Sequence, residues 1–348
     1  MKTMLKITII PLLALLFCNV SLAGKPAEFT REIKKEFSVN PDAKLVLENK
    51  YGDIRISNTP ENKVSVTVQI TVDARDLETA VKTFEKVKIN FSGTPDLVEA
   101  RTVLEGNLNV RGRFSIDYIV SMPVTMSLDA DNRFGDLVAG EIGGKAKISI
   151  GYGNLEVTRL SNSDNLIEVK FGQSDIDWIK GAVMILKYSE FNGDYAGSLN
   201  LNSSYSTFSA GKIIALDATF EGGSLDLEAT SVLTCRAKFS DISIGILDQK
   251  LDLVNNYGSF EVDDIPAGFT SVSVTNSYGN IDLGISRSAV YNLEADMHFC
   301  NLDYPEDLAS MNYVNESSHD QQLRGAIGTN PSAMVKVTSN YGNVSLED

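Results

Sequence analysis

Histidine is nearly missing from this chain. His298 and His319 are the only two in 348 residues. Catalysis that uses imidazole as a base has little to draw on. The familiar nucleotide and nucleophile signatures are missing too. There is no Gly-Lys-Ser/Thr loop, no Gly-x-Ser-x-Gly elbow and no His-Glu-x-x-His. Cysteine is scarce. Cys18 lies in the apolar start of the chain, which leaves Cys235 and Cys300, too few for a disulfide framework. Positive charge is also short. Lys and Arg number 31 against 46 Asp and Glu, a net −15 at pH 7. Such a chain is a poor partner for nucleic acid or anionic lipid, whereas cations and neutral glycans tolerate it.

Long apolar runs are confined to the first residues. Lys2 and Lys6 precede the apolar stretch from Ile7 to Phe17, and Ser21-Leu22-Ala23 forms a small-residue cleavage signature before Gly24. This pattern predicts a signal peptide over residues 1–23 and export to the periplasm, the outer membrane or the cell surface. Phe17 is a poor neighbour for a lipid-modified Cys18. No second apolar run of membrane length follows, so no transmembrane segment is expected once the leader is removed.

What the chain has in abundance is one motif. Tyr152-Gly-Asn-Leu155, Tyr257-Gly-Ser-Phe260, Tyr278-Gly-Asn-Ile281 and Tyr341-Gly-Asn-Val344 repeat an aromatic, a glycine, a small polar residue and an apolar one. With the aromatic as position zero, twelve residues fit: Tyr51, Phe134, Tyr152, Phe171, Tyr188, Tyr205, Phe220, Phe239, Tyr257, Tyr278, Phe299 and Tyr341. A period of roughly 20 residues denotes stacked coils. Position −4 is apolar or Cys in every coil, from Leu47 and Ile148 to Cys235, Leu253, Val274 and Ala295. Position +3 is apolar except at Ser174 and Gly223, where the register recovers at Ile176 and Leu225 and a two-residue bulge is expected. Period-2 alternation on both flanks means strands with one buried face. The expected fold is therefore all-β, a single-stranded parallel β-helix (a β-solenoid, right-handed because the strict six-residue subrepeat of the left-handed type is missing). The glycine and polar residue at each corner are read as the turn, and the aromatic and Trp178 as core by parity.

The ends depart from the repeat. Val64–Val72 and Phe114–Val120 read as strands flanking an amphipathic helix over Asp73–Lys88, with Leu77, Val81, Phe84 and Val87 on one stripe. This strand and helix cap would cover an edge that otherwise invites aggregation. The expected organisation is residues 24–122 for the first coil and cap, and 123–348 for the repeats. A loop is expected to project over about 305–332.

The motifs also resemble a known bacterial group. Tyr118-Ile-Val-Ser-Met-Pro123, Phe134-Gly-Asp-Leu137, Tyr152-Gly-Asn-Leu155, Leu323-Arg-Gly-Ala-Ile-Gly328 and Tyr341-Gly-Asn-Val-Ser-Leu346 look like the putative-adhesin family of β-strand-repeat domains in exported envelope proteins. The resemblance implies a β-helix and an adhesin-like role, and it supplies no catalytic residues.

Chemistry can also come from stacking. Position +4 holds Glu261, Asp282 and Asp303 on what the spacing makes successive coils, and the bulge would pair Glu156 with Asp177. Carboxylates one coil apart lie about 5 Å from each other. That spacing suits calcium, the one cofactor the chain suggests, or the acid pair of a retaining glycosidase, either Glu261 with Asp282 or Asp282 with Asp303. A solvated acidic stripe is the plain alternative. His298 and Cys300 share a face, and a metal there would need further ligands such as His319. Cys235 and Cys300 lie three coils apart, about 14 Å, too far for a disulfide. The expected function is a non-enzymatic envelope protein, adhesin-like or a scaffold, presenting a surface to a glycan, cell-wall or protein partner. The alternative is a polysaccharide lyase or glycoside hydrolase on the same scaffold.

Overall fold

The computed structural model describes residues 17–18, 26–108 and 112–347. The expected leader lies outside the described residues, except for the two-residue strand β1 (Phe17–Cys18), which pairs antiparallel with β2 (Ala27–Ser38). The described chain is all-β, with one α-helix. It divides into two compact units, Met1–Gly140 and Glu141–Asp348.

In the first unit, β3 (Lys44–Lys50) and β4 (Ile54–Asn58) form a coil that turns at Tyr51. β5 (Lys63–Ala74) runs antiparallel to β2 along its whole length. Its alternation Val64, Val66, Val68, Ile70, Val72 is buried, as period 2 requires. Helix α1 (Leu77–Glu85) is shorter than the expected 73–88. Asp76 sets the start, because its carboxylate accepts from the Thr79 amide at 2.8 Å. Of the expected stripe, Phe84 and Val87 are buried and Leu77 and Val81 are exposed, with Ala80 joining the packed face. The helix lies on β5, β2 and β6 (Val87–Gly93). Next, β7 (Leu97–Leu104) pairs antiparallel with β6 and parallel with β3. β8 (Phe114–Met122) is antiparallel to β5 and parallel to β4. β9 (Ser127–Arg133) and the start of β10 (Leu137–Ile142) then lie parallel and in register on β3 and β4, with Leu47↔Ala130 and Ile54↔Leu137.

The second unit is built almost wholly from such parallel pairings. β11 (Ala146–Gly151) pairs with β13 (Asn165–Lys170), and β12 (Leu155–Leu160) with β14 (Gln173–Lys187). β14 pairs with the start of β15 (Glu190–Asn256), a continuous strand that bends through several coils. Residues pair at offsets of 19, then 17. No bulge occurs at Phe171. Leu155 faces Ser174 and Val157 faces Ile176 directly, and Ser174 is buried with its hydroxyl donating to the Glu190 carbonyl at 3.1 Å. A hydroxyl satisfied in this way substitutes for an apolar side chain, which apolarity alone cannot detect. Glu156 consequently faces Asp175, not Asp177.

The order of coils near the C-terminus also differs from chain order. β15 pairs with β16 (Phe260–Ile265) and β17 (Ser271–Ser277), and β16 with β18 (Ile281–Ile285). β19 (Tyr291–His298) does not lie on β17. The later strand β23 (Ala333–Asn340) inserts between them, so that Val274, Val337 and Ala295 form the ladder. Likewise β24 (Val344–Ser345) lies between β18 and β20 (Leu302–Asp303). The expected loop is a β-hairpin. β21 (Ala309–Glu316) and β22 (Asp320–Ile327) are antiparallel, and β22 covers the outer edge of β19. That antiparallel cover blocks further parallel stacking and leaves only the inner edge of β19 for the last coil.

Candidate binding surface: an aromatic edge

The repeat aromatic is not core. Tyr51, Phe134, Tyr152, Phe171, Tyr188, Tyr205, Phe239, Tyr257, Tyr278, Phe299 and Tyr341 all sit in the left-handed region, with φ between 50° and 66°. They are exposed by 45% to 58%, except for the half-buried Tyr51. A residue at positive φ breaks the alternation, so parity with the flanking strands does not carry through the corner. The glycine that follows has a different task from a turn glycine. A Cβ on Gly342 would lie 1.8 Å from the Gly279 carbonyl oxygen, and one on Gly279 would lie 2.0 Å from that of Gly258. These glycines let corners lie directly on one another.

A buried polar ladder, overlooked in the sequence, supports the corners at position −2. Asn255 Nδ2 donates to the Gly258 carbonyl at 2.7 Å and to Asn276 Oδ1 at 3.1 Å. Asn276 Nδ2 donates to the Gly279 carbonyl and to Ser339 Oγ, and Ser339 Oγ donates to the Gly342 carbonyl at 2.6 Å. In the first unit, Asn49 and Asn132 both donate to the Gly52 carbonyl. Asn49, Asn255 and Asn276 tie their strands to their own corners, and Asn132 ties its own corner, through the Asp136 carbonyl, to the neighbouring one. The recurrence of Asn two residues before Tyr257 and Tyr278 was the available signal.

The corners bring the rings into a column. In the second unit Tyr152, Phe171, Tyr188 and Tyr205 stack in succession at 4.7, 5.2 and 5.3 Å between centroids, within 9° of parallel. The stack resumes from Phe239 through Tyr257, Tyr278 and Tyr341 to Phe299 at 4.9–5.1 Å. Most ring faces cover each other, so the column presents ring edges and tyrosine hydroxyls outward. In the first unit Tyr51 and Phe134 stack at 5.3 Å, with Lys50 Nζ 4.8 Å from the Tyr51 centroid.

Phe220 does not belong to this column. It is buried, and Gly222 (φ 74°) takes the corner. The spacing from Phe171 to Phe239 is then an unbroken 17, and no bulge is needed at Leu225. Trp178 is half-buried and external. Its indole stacks on Tyr195 at 5.8 Å, and the Arg159 guanidinium lies 4.3 Å from its centroid. The register Arg159↔Trp178↔Tyr195 sets this outer column.

The structure brings Glu261 and Asp282 face to face on neighbouring strands. It does not bring Asp282 to Asp303, because Ser345 pairs with both and stands between them. The expected three-carboxylate column is thus broken by the inserted last strand. Among the described residues no three His, Cys, Asp or Glu side chains form a group that could hold a metal ion. His298 is engaged by carboxylates. Its Nδ1 is 2.7 Å from Asp320 Oδ1 and its Nε2 3.4 Å from Asp296 Oδ1. The Asp320 hydrogen bond raises the imidazole pKa, and the same contact lowers that of Asp320. His319 packs on Phe299 at 4.9 Å, and Cys300 Sγ lies 3.4 Å from the Ser339 carbonyl. The expected His298, Cys300 and His319 set is therefore not assembled. Cys235 is a buried thiol pushed up to about 12 by desolvation, so it is unreactive, and both it and Cys300 are free.

A second external feature runs across the strands before the corners. An open groove of ≈ 830 Å³ passes over Lys147, Leu166, Val183, Asn200, Asp217 and Thr234. The first four lie opposite one another in consecutive register.

No family model and no curated protein matches this chain. Among solved structures it is similar to a putative cell adhesion protein from Clostridium sporogenes, at 9% identity over 90% of this chain and 98% of that one, with a TM-score of 0.22. It is also similar to a putative adhesin from Parabacteroides distasonis, at 9% identity over 90% and 96%, TM-score 0.35. A third is a putative adhesin from Bacteroides fragilis, at 10% identity over 90% and 96%, TM-score 0.22. Scores at this level transfer neither fold nor function.

Proposed function

We propose that this chain is a non-enzymatic, exported, adhesin-like scaffold of the β-solenoid type, and that its long surface binds a glycan, cell-wall or protein partner in the envelope. The observation that supports the reading is the exposed aromatic column. Contiguous exposed apolar surface on a soluble protein marks an interaction site. Here nine rings of the second unit are held outward by a strained backbone conformation, which burial in the core would not require. The groove beside the strands gives a linear partner a second place to lie. The test uses the full chain immobilised against glycan and envelope-protein panels. Capture is expected, with a loss of at least tenfold in Tyr188→Ser/Tyr257→Ser/Tyr278→Ser. Capture unchanged in that triple variant would refute the column as the binding surface.

One observation favours a second reading. Glu261 and Asp282 oppose each other on neighbouring strands, about 5 Å apart by strand spacing. That is the separation of a retaining glycosidase pair. New reducing ends released from a polysaccharide panel, and abolished by Glu261→Gln, would establish it. A silent panel removes it.

A further inference from the structure

The second unit contains a coil that the chain threads between two others. β17 and β19 belong to coils that follow each other in the sequence, yet β23 holds them apart. β23 is paired on both edges. Residues 334–340 run beside 271–277 on one side, and residues 333–340 beside 291–298 on the other. β24 repeats this between β18 and β20. Ala333, Val335, Val337, Val344 and Leu346 are buried, and the Tyr341 ring stacks at 5.0 Å from both Tyr278 and Phe299. Without the inserted strand, β17 and β19 would present two unpaired edges about 10 Å apart.

A short link delivers this strand. Ile327 and Ala333 both stand opposite Tyr291, on its two sides. Residues 328–332 therefore pass from one side of β19 to the other, across about 10 Å. The link turns at two left-handed residues, Gly328 at φ 75° and Asn330 at φ 54°, and Pro331 follows. Thr329, Asn330 and Ser332 are exposed, so straightening the link takes none of them out of the core. Fully extended, its five residues reach about 17 Å.

We propose that the slot between β17 and β19 is a self-association site, filled in a dimer by residues 333–346 of a second copy. The contacts that select this strand lie wholly in the strand and the slot. They are the two ladders, the buried apolar row, and Ser339 Oγ accepting from Asn276 Nδ2 at 3.0 Å. Both halves are identical in every copy, so an exchanged strand makes the same contacts in the same register. Only the link changes, which is the condition for reciprocal strand exchange about a two-fold axis. Each column then carries Tyr341 of the partner subunit between its own Tyr278 and Phe299. The proposal goes beyond the binding role and stands independently of it.

The test mixes two full chains in a background without the native cysteines, one carrying Thr275→Cys and the other Thr338→Cys. They are unfolded together, refolded at high protein concentration and mildly oxidised. A disulfide-linked dimer is expected, because exchange sets Thr338 of one copy opposite Thr275 of the other. The same mixture with Asp296→Cys in place of Thr338→Cys should give at least tenfold less, since β19 stays with its own copy. Deleting residues 328–330 leaves a link of about 10 Å reach, too short to pass round Tyr291. That chain should sediment wholly as a dimer, because a shortened hinge disfavours the closed monomer. Two results overturn the proposal: cross-linking no greater than in the Asp296→Cys mixture, or a shortened chain that folds as a monomer. If the shortened chain does not fold, the cysteine mixtures decide alone. Neither result touches capture by the aromatic column, which is measured separately.

Discussion

At the scale of single residues, the corner is governed by three positions with separate tasks. The aromatic takes the left-handed backbone, which costs about 1–2 kcal/mol for a residue with a Cβ. Ring stacking of about 0.5–1.5 kcal/mol per pair offsets part of that. The glycine after it allows close stacking, and the Asn two before it holds the carbonyl. Gly342→Ala therefore tests packing, not backbone freedom. Its Cβ would lie 1.8 Å from the Gly279 carbonyl oxygen, and that oxygen is held in the corner by the Asn276 side-chain amide. Chemical denaturation should show a loss of about 3 kcal/mol, the upper range for overpacking. Asn276→Ala removes the donor to the Gly279 carbonyl and to Ser339 in a fully buried place. A loss of about 1–3 kcal/mol is expected from the same measurement, since buried acceptors are left unmet. A neutral result for either variant would contradict its assigned task. The repeat made the corner's position legible. Its interior was not, because parity counts residues as if φ stayed negative, and that single assumption turned an exposed ring into an expected core one.

At the scale of elements, strands were legible wherever one face is buried. Val64–Val72 and Phe114–Val120 fall inside β5 and β8. The hairpin of β21 and β22 was not legible, because β21 buries no face: even Ala309, Met311 and Tyr313, which alternate, stay half-buried or exposed. Its attachment has a titratable clasp, since His298 on β19 meets Asp320 on β22. The folded-state pKa of His298 is raised above its ordinary 6.5, so its contribution is complete below that value and fades as pH rises through the folded pKa. The folded pKa of Asp320 is lowered below 3.8, so its contribution is complete above 3.8 and fades as pH falls through the folded value. The clasp is therefore strongest between about pH 4 and 6.5. Amide hydrogen exchange, corrected for its intrinsic pH dependence, should show β22 better protected at pH 5.5 than at pH 8.5. Asp320→Asn should abolish the difference. An equal pH dependence in that variant would count against the clasp.

At the scale of the whole molecule, parallel pairing between strands about 20 residues apart was legible from the period, but the spatial order of the strands was not. Every coil shows the same alternation, so period and parity cannot say which coil lies on which. The insertion of β23 between β17 and β19 is decided by the antiparallel cover that β22 places on β19. The same insertion separates Asp282 from Asp303 and dissolves the expected carboxylate column.

Paired cysteines test this stacking directly, in a background without the native Cys18, Cys235 and Cys300. Thr275 and Thr338 are 63 residues apart in the chain and directly opposite in register, whereas Thr275 and Asp296 are 21 apart with Thr338 between them. Strand neighbours about 4.8 Å apart fall within disulfide reach, and residues two strands apart, about 10 Å, do not. Mild oxidation should cross-link Thr275→Cys/Thr338→Cys nearly completely and leave Thr275→Cys/Asp296→Cys reduced. The reverse pattern would mean that the coils lie in chain order, and the stacked, inserted arrangement described for this unit would be wrong.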